Sequence, residues 1–304
     1  MVEPAVKEEK RIVGIGSALV DILSHESDEF LQTIGGAKGA MTLVDSEFID
    51  QTLEQITGQP ALVPGGSACN TIIGIGKLGG VARFIGKCGE DAYGDLIRTE
   101  LEKNQVEPML FTSPLPTGKV LSIITPDAQR TMFTFLGAAS ETAPAEMTPS
   151  AFDQAAIVHI EGYLIHNKAV LRTALAQAKK ANATVSLDLA SYTIVEENKG
   201  FLEEIVADAV DILIANEDEA RAFTGHTDEA RAIKALSEKA PLAVLKIGKR
   251  GSYISRDGET LKIEPMGTGD AVDTTGAGDL WASGFLFGMV NGYPLEQCGN
   301  LGSA

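Results

Sequence analysis

Short apolar runs rich in β-branched residues recur along the chain and alternate with stretches of helical period. Runs at residues 11–15, 83–87, 157–161, 184–188, 212–215 and 243–247 are too short for helices and predict buried strands. Between them, residues 168–182 set Val170, Leu171, Ala174, Leu175 and Ala178 on one helical face. A second helix, 228–239, opens on an acidic cap and ends just before Pro241. The alternation predicts an α/β domain in three layers, a mostly parallel central sheet with helices on both faces.

Two stretches break that rhythm. Residues 39–44 are short and β-prone, and 106–135 hold two β-prone runs, 118–125 and 130–135. Pro126 and Asp127 supply turn chemistry between the two runs. With no helix expected among them, residues 34–46 and 106–136 predict a small separate β-sheet, a lid over the strand ends of one domain spanning 1–304.

Composition narrows the function. The 304 residues are 44% hydrophobic, enough for a large core. A net charge of -17 argues against nucleic acid or an anionic membrane as a general partner. Three scattered cysteines, Cys69, Cys88 and Cys298, suggest neither a disulfide framework nor a zinc site. His25, His159, His166 and His226 show no metal-ligand spacing. The charged start of the chain lacks a signal-like apolar core, and the longest apolar run, 280–290, is too short to span a bilayer. A soluble cytoplasmic protein is expected.

The chemistry concentrates late in the chain. Asp273-Thr274-Thr275-Gly276-Ala277-Gly278-Asp279 leads into an apolar helical run. Its glycines let backbone N–H groups approach a ligand, and the following helix start adds unpaired N–H groups and partial positive charge. Together they make an anion hole suited to a transferring phosphoryl group. Asp279 sits in the first turn, where a carboxylate can take a proton from a hydroxyl beside that hole. Earlier, Gly65 and Gly66 follow Pro64 and precede a helix, and Asn70 can both donate and accept. Asn216 and Glu219 follow a strand end, where they read either as a ligand site or as a helix cap with a solvated acid. Asp21 follows the first strand, but Leu19 stands where a dinucleotide fingerprint needs its third glycine. No GxxxxGK[ST] string occurs.

Residues 273–279 resemble the C-terminal signature of the ribokinase-like, or PfkB, family of carbohydrate and nucleoside kinases. Gly65-Gly66-Ser67-Ala68-Cys69-Asn70 resembles its GGxxxN motif and Gly89-Glu90-Asp91-Ala92-Tyr93-Gly94 its GxDxxG turn. Asn216-Glu217-Asp218-Glu219 resembles its NxxE motif and Gly248-Lys249-Arg250-Gly251 its GxxG loop. The resemblance implies a ribokinase-like fold and ATP-dependent transfer to a hydroxyl, with Gly276, Ala277, Gly278 and Asp279 catalytic. Asp21, Gly65, Gly66 and Asn70 would hold the acceptor. Asn216, Glu219, Lys246, Gly248, Gly251 and Thr275 would bind the nucleotide, with Mg2+ held by Glu219 through water. A monovalent cation such as K+ and a homodimer through the lid are compatible with it. Family members usually continue for one or two helices that help enclose the adenine, whereas this chain stops at Ala304.

Within the family, Ala18-Leu19-Val20-Asp21-Ile22 and Phe135-Leu136-Gly137-Ala138-Ala139 look most like adenosine kinases and their bacterial relatives. The expected acceptor is therefore adenosine, its base lying against Leu19, Met132, Phe133 and Leu136. The alternatives are a free-sugar kinase for ribose, fructose or a keto-deoxy sugar, and a non-catalytic sensor on the same fold. Retention of Asp279 argues against the sensor.

Overall fold

The computed structural model describes residues 10–127, 129–267 and 276–304. From its start the chain forms β1 (Arg11–Ile15), β2 (Leu19–His25), α1 (Asp28–Thr33), β3 (Met41–Leu43), α2 (Ser46–Gln55) and β4 (Ala61–Gly65). There follow α3 (Ser67–Lys77), β5 (Ala82–Gly89), α4 (Ala92–Lys103), β6 (Val106–Ser113), β7 (Gly118–Ile124) and β8 (Arg130–Phe135). The second half runs β9 (Ala155–Glu161), α5 (Lys168–Lys180), β10 (Thr184–Asp188), α6 (Tyr192–Ala209), β11 (Ile212–Asn216) and α7 (Glu217–Thr224). It closes with α8 (Glu229–Ser237), β12 (Leu242–Lys246), β13 (Ser252–Arg256), β14 (Glu259–Ile263), α9 (Ala277–Val290) and α10 (Leu295–Ser303).

Among the described residues the main sheet has the order β14-β13-β12-β11-β10-β9-β1-β5-β6. Every pairing from β12 to β6 is parallel, and β13 and β14 add an antiparallel edge. Helices α5 to α8 bury Leu171, Leu202, Phe223 and Leu236 against one face. Helices α3, α4 and α9 bury Ile72, Ile97 and Phe285 against the other. Strands covered on both faces read as unbroken apolar runs, which is why the sequence announced them. As expected, the Asp228 side chain caps α8, accepting from the Arg231 amide.

The second sheet has the order β3-β8-β7-β2-β4. Helices α1 and α2 cover its outer face, where Leu31 and Ile49 are buried and Phe48 meets Phe133 at 4.9 Å between ring centroids. The lid is thus a small layered unit whose apolar residues are continuous with those under α3, α4 and α9.

Its membership corrects the sequence reading in two ways. Val106–Ser113 is not part of the lid: β6 pairs in parallel with β5 along its whole length, joined by α4 as a strand–helix–strand crossover. Pro108 is tolerated there because β6 is the edge strand and one side needs no N–H donors. Conversely, β2 and β4 are lid strands that the pattern did not reveal, and β2 carries Asp21. In the turn between β7 and β8, Asp127 accepts from Thr125 Oγ1 at 2.7 Å, as its residue type suggested; Ala128 lies outside the described residues.

Candidate active site

Four adjacent parallel strands end in a polar residue on one face: Glu161 on β9, Asp188 on β10, Asn216 on β11 and Lys246 on β12. Register places Asp188 beside Glu161 and Asn216 beside Lys246. Two to four residues earlier the same faces carry Ile157, Ile214 and Val244, which pack with α3 and α9. The row therefore points at the starts of those two helices. It lies beside the place where the chain order reverses, with β5 on one side of β1 and β9 on the other, the usual ligand crevice of an open parallel sheet.

The starts of α3 and α9 meet over this row. Each follows a glycine with positive φ, Gly66 at 95° and Gly276 at 69°. Asp279 is the third residue of α9, and both its oxygens are held: Ser67 Oγ donates to Oδ1 at 2.7 Å and Asn70 Nδ2 to Oδ2 at 3.0 Å. The two helices are tied again by Thr71 Oγ1 donating to the Asp279 carbonyl and Ser283 Oγ to the Thr71 carbonyl. Burial pushes the Asp279 carboxyl up to about 6, against the opposing pull of the Asn70 and Ser67 hydrogen bonds. A carboxyl so placed is ionised at neutral pH yet close enough to it to accept a proton.

At the β12 end of the row, Lys246 Nζ donates to Asp188 at 2.7 Å and stands 3.1 Å from where a Cβ on Gly278 would be. A cation therefore sits directly at the first turn of α9. The Lys246 ammonium is raised above its ordinary value by Asp188 and Glu219, which outweigh burial together. Asn216 and Glu219 form the helix cap that the sequence allowed: Asn216 Oδ1 accepts the Glu219 amide at 2.9 Å and Glu219 Oε2 accepts the Asn216 amide at 2.8 Å. The acid is not solvated, however; it is 2% exposed and lines the cleft. Gly248 and Gly251 shape the turn after β12, with φ of 56° and 94°, and do not line the cleft. Arg250 fastens that turn to Glu217 and Glu229. Thr275 lies outside the described residues, as do Asp273 and Thr274.

On the lid side, Asp21 projects from β2 into a cleft of about 460 Å³ between lid and main sheet. Its carboxyl, pushed up to about 6 chiefly by burial, accepts no hydrogen bond among the described residues. Gly65 makes room for it, since a Cβ there would lie 2.6 Å from Asp21 Oδ1. Leu19, Met132 and Leu136 line the cleft as expected. Phe133 does not: strand alternation turns it to the outer face, against Phe48, and Thr134 lines the cleft in its place.

Pattern reasoning missed Ser67, Glu161, Asp188 and Arg130. Glu161 and Asp188 had a usable signal, an acid closing a run that otherwise reads as a buried strand. Cys69 is fully buried and its thiol is pushed up by burial and nearby carboxylates, which fits packing rather than nucleophilic chemistry. No described helix is long and apolar enough to cross a membrane.

Known proteins resemble this chain in sequence and in fold. The solved adenosine kinase from Sinorhizobium meliloti superposes with a TM-score of 0.91 and 32% identity, over 97% of this chain and 92% of that one. The adenosine kinase of Saccharomyces cerevisiae is 26% identical over 96% of this chain and 92% of its own length. The 5-dehydro-2-deoxygluconokinase of Bacillus subtilis is 29% identical over 79% of this chain and 78% of its own. The pfkB family carbohydrate kinase model matches residues 14–304. The chain therefore belongs to the pfkB family of carbohydrate kinases, and it is a sugar or nucleoside kinase with the ribokinase-like fold.

Proposed function

We propose that this kinase transfers the γ-phosphoryl group of ATP to the 5′-hydroxyl of a purine nucleoside, adenosine foremost. The observation that carries the reading is the apolar surface that the lid turns to the cleft beside Asp21: Leu19, Met41, Val120, Met132 and Leu136. Such a slot adds binding energy for a flat base and offers a free sugar little. Asp21 grips the ribose hydroxyls, with Gly65 and Gly66 letting the chain approach closely. The 5′-hydroxyl then faces Asp279, which takes its proton as the oxygen attacks phosphorus. The N–H groups at Gly276, Ala277 and Gly278 receive the charge that develops on the transferring group, and Lys246 adds its own. Asn70 serves by orienting Asp279 as well as lining the acceptor site.

Magnesium, when bound, supplies charge neutralisation of the phosphate oxygens. No cluster of three or more His, Cys, Asp or Glu forms a cage for an ion among the described residues. That suits magnesium, which keeps most of its waters. Glu219, buried in the cleft with lone pairs beyond those used by Asn216, would hold it through water. Three buried free cysteines and the use of ATP fit a cytoplasmic setting. A homodimer through the lid would have to use a free strand edge, because α1 and α2 already cover the outer face; sedimentation measures it.

A specific observation favours a second reading. Arg130 lines the lid side of the cleft, close enough to draw down the Asp21 carboxyl, and makes no ion pair among the described residues. A guanidinium there suits a carboxylate-bearing sugar, and one relative is named as a 5-dehydro-2-deoxygluconokinase. ADP release measured with adenosine, ribose, fructose and a keto-deoxy sugar acid separates the two. The nucleoside reading expects adenosine to have the highest kcat/KM, and 2′-deoxyadenosine to lose about 1–3 kcal/mol of it. Faster turnover of any sugar or sugar acid than of adenosine at equal concentration overturns it.

A further inference from the structure

We infer that Glu161 is a positioning residue for the transfer: its ionised carboxylate clamps the loop after β1 to the start of α3, and so fixes the two side chains that hold Asp279. Oε1 accepts the Ser17 amide at 2.8 Å, and Oε2 accepts the Ala68 amide at 3.0 Å. The two segments touch between these bonds, since a Cβ on Gly66 would lie 2.1 Å from the Ser17 carbonyl oxygen. Gly16 leaves room for the clamp, because a Cβ there would fall 2.3 Å from Oε2. The glycine pair Gly14 and Gly16 is thereby explained without a dinucleotide: the first admits Ile72 of α3 and the second admits Glu161. Ala68 stands between Ser67 and Asn70 in the first turn of α3, and those two donate to Asp279.

The chemistry demands charge on the clamp. Both oxygens accept N–H groups, whereas a neutral carboxyl or a carboxamide turns a donor toward one of them. Burial works the other way. Glu161 is 1% exposed, and its carboxyl is pushed up to about 7, mostly by burial, with the Ala68 and Ser17 bonds pulling it back and Asp279 adding to the rise. The groups that face this corner are Cys69 from α3, Asp279 from α9, Asp21 from β2, Asp188 from β10, and His159 and Tyr163 from the strand and turn of Glu161 itself. The nearby cations are Lys246, already paired with Asp188, and Arg130 beside Asp21. The clamp therefore forms as pH rises through about 7. Its stability contribution has the opposite sign: a raised carboxyl favours the fold below its ordinary range and loses that contribution as pH rises through the folded value.

This inference rests on Asp279 as the base, and its test is chosen to stand apart from turnover. In the full-length wild-type protein, the Ser17 and Ala68 amide resonances are followed from about pH 5.5 to about pH 8.5. Both should shift together with one midpoint near neutrality, and Glu161→Gln should abolish that step. With adenosine as acceptor, Glu161→Gln should lower kcat about tenfold and leave the ATP KM within about twofold. Its remaining pH limb should fall to the ionisation of Asp279, and Glu161→Asp, which restores charge with shorter reach, should give an intermediate kcat. Amides that do not titrate in the wild type overturn the clamp, as does a folded Glu161→Gln enzyme with an unchanged kcat. If that variant does not fold, the wild-type titration decides alone. If the amides titrate as expected while Asp279→Asn stays active, the base assignment fails and the clamp stands.

Discussion

Asp279 and Asp21 are two buried carboxylates facing one cleft, both pushed up to about 6 chiefly by burial, yet the protein treats them differently. Asp279 stands on a helix of the main domain with a donor on each oxygen. Asp21 stands on a strand of the lid, and no described donor meets its side chain. Under the proposed function the difference separates two tasks. A base must be aimed before the substrate arrives, since misplacement by an ångström costs orders of magnitude in rate. A grip gains more if its donors come from the ligand itself, because an unpartnered buried carboxylate is costly and ligand hydroxyls relieve that cost.

The comparison breaks most sharply at Asp279. Asp279→Asn keeps the shape and removes the base, so kcat should fall by roughly 10²–10⁴-fold with little change in ATP affinity. The pH signs oppose one another. Activity should fall as pH drops below about 6, because the base is then protonated. A carboxyl raised in the fold stabilises it below the ordinary range near 3.8 and loses that contribution as pH rises through about 6. Asp279→Asn should therefore melt no lower than the wild type near neutrality. A near-normal kcat removes the assignment.

The next effect belongs to the grip. Gly65→Ala puts a methyl group 2.6 Å from Asp21 Oδ1 without touching Asp279. Acceptor kcat/KM should fall by the equivalent of about 1–3 kcal/mol, while the ATP KM holds. An equal rise in both KM values shows that the two sides of the cleft are not separate.

A smaller change sharpens the aiming of the base. Ser67→Ala removes the donor to Oδ1, one of the bonds that pull the Asp279 carboxyl down. The acidic limb of the kcat profile should move to higher pH, and kcat above that limb should fall by about three- to tenfold. A limb that moves to lower pH contradicts the hydrogen bond as drawn.

How much of this was legible in the sequence follows from how local each feature is. Strands β9 to β12 were legible because burial on both faces leaves unbroken apolar runs. The turn at Pro126 and Asp127 was legible because its chemistry is confined to a few residues. Strand β6 was misplaced because α4 was not recognised between it and β5, and without that crossover β6 reads as part of a meander. Strands β2 and β4 escaped because their partners are distant: Leu19 lies beside Gly118 and Gly65, pairings no short window contains. Phe133 was assigned to the cleft because Thr131-Met132-Phe133-Thr134-Phe135 is apolar on both faces, so alternation gives no parity. Asp21 and Asn70 came from family resemblance. That Asn70 and Ser67 both hold Asp279 is visible only in the fold, since over two hundred residues separate the partners.

The gentlest test asks whether the lid moves as a unit distinct from the main sheet. Strands β6, β7 and β8 are close in sequence but belong to different sheets. The amides of β6 are tied to β5, whose eight residues are all buried in the main domain. Those of β7 and β8 belong to a sheet that lines the cleft through Val120 and Met132 and carries its own helical cover. Acceptor bound between lid and main sheet should stabilise the closed arrangement, and amides that open with the lid should exchange more slowly. Adenosine at saturation should slow exchange in Gly118–Ile124 and Arg130–Phe135 by about three- to tenfold. It should leave Val106–Ser113 unchanged, and ATP alone should do less to the lid strands than adenosine does. Equal slowing in all three strands joins β6 to the lid in motion if not in pairing. No slowing anywhere makes the lid a fixed wall, and Asp21 must then be set by the fold alone, as Asp279 is.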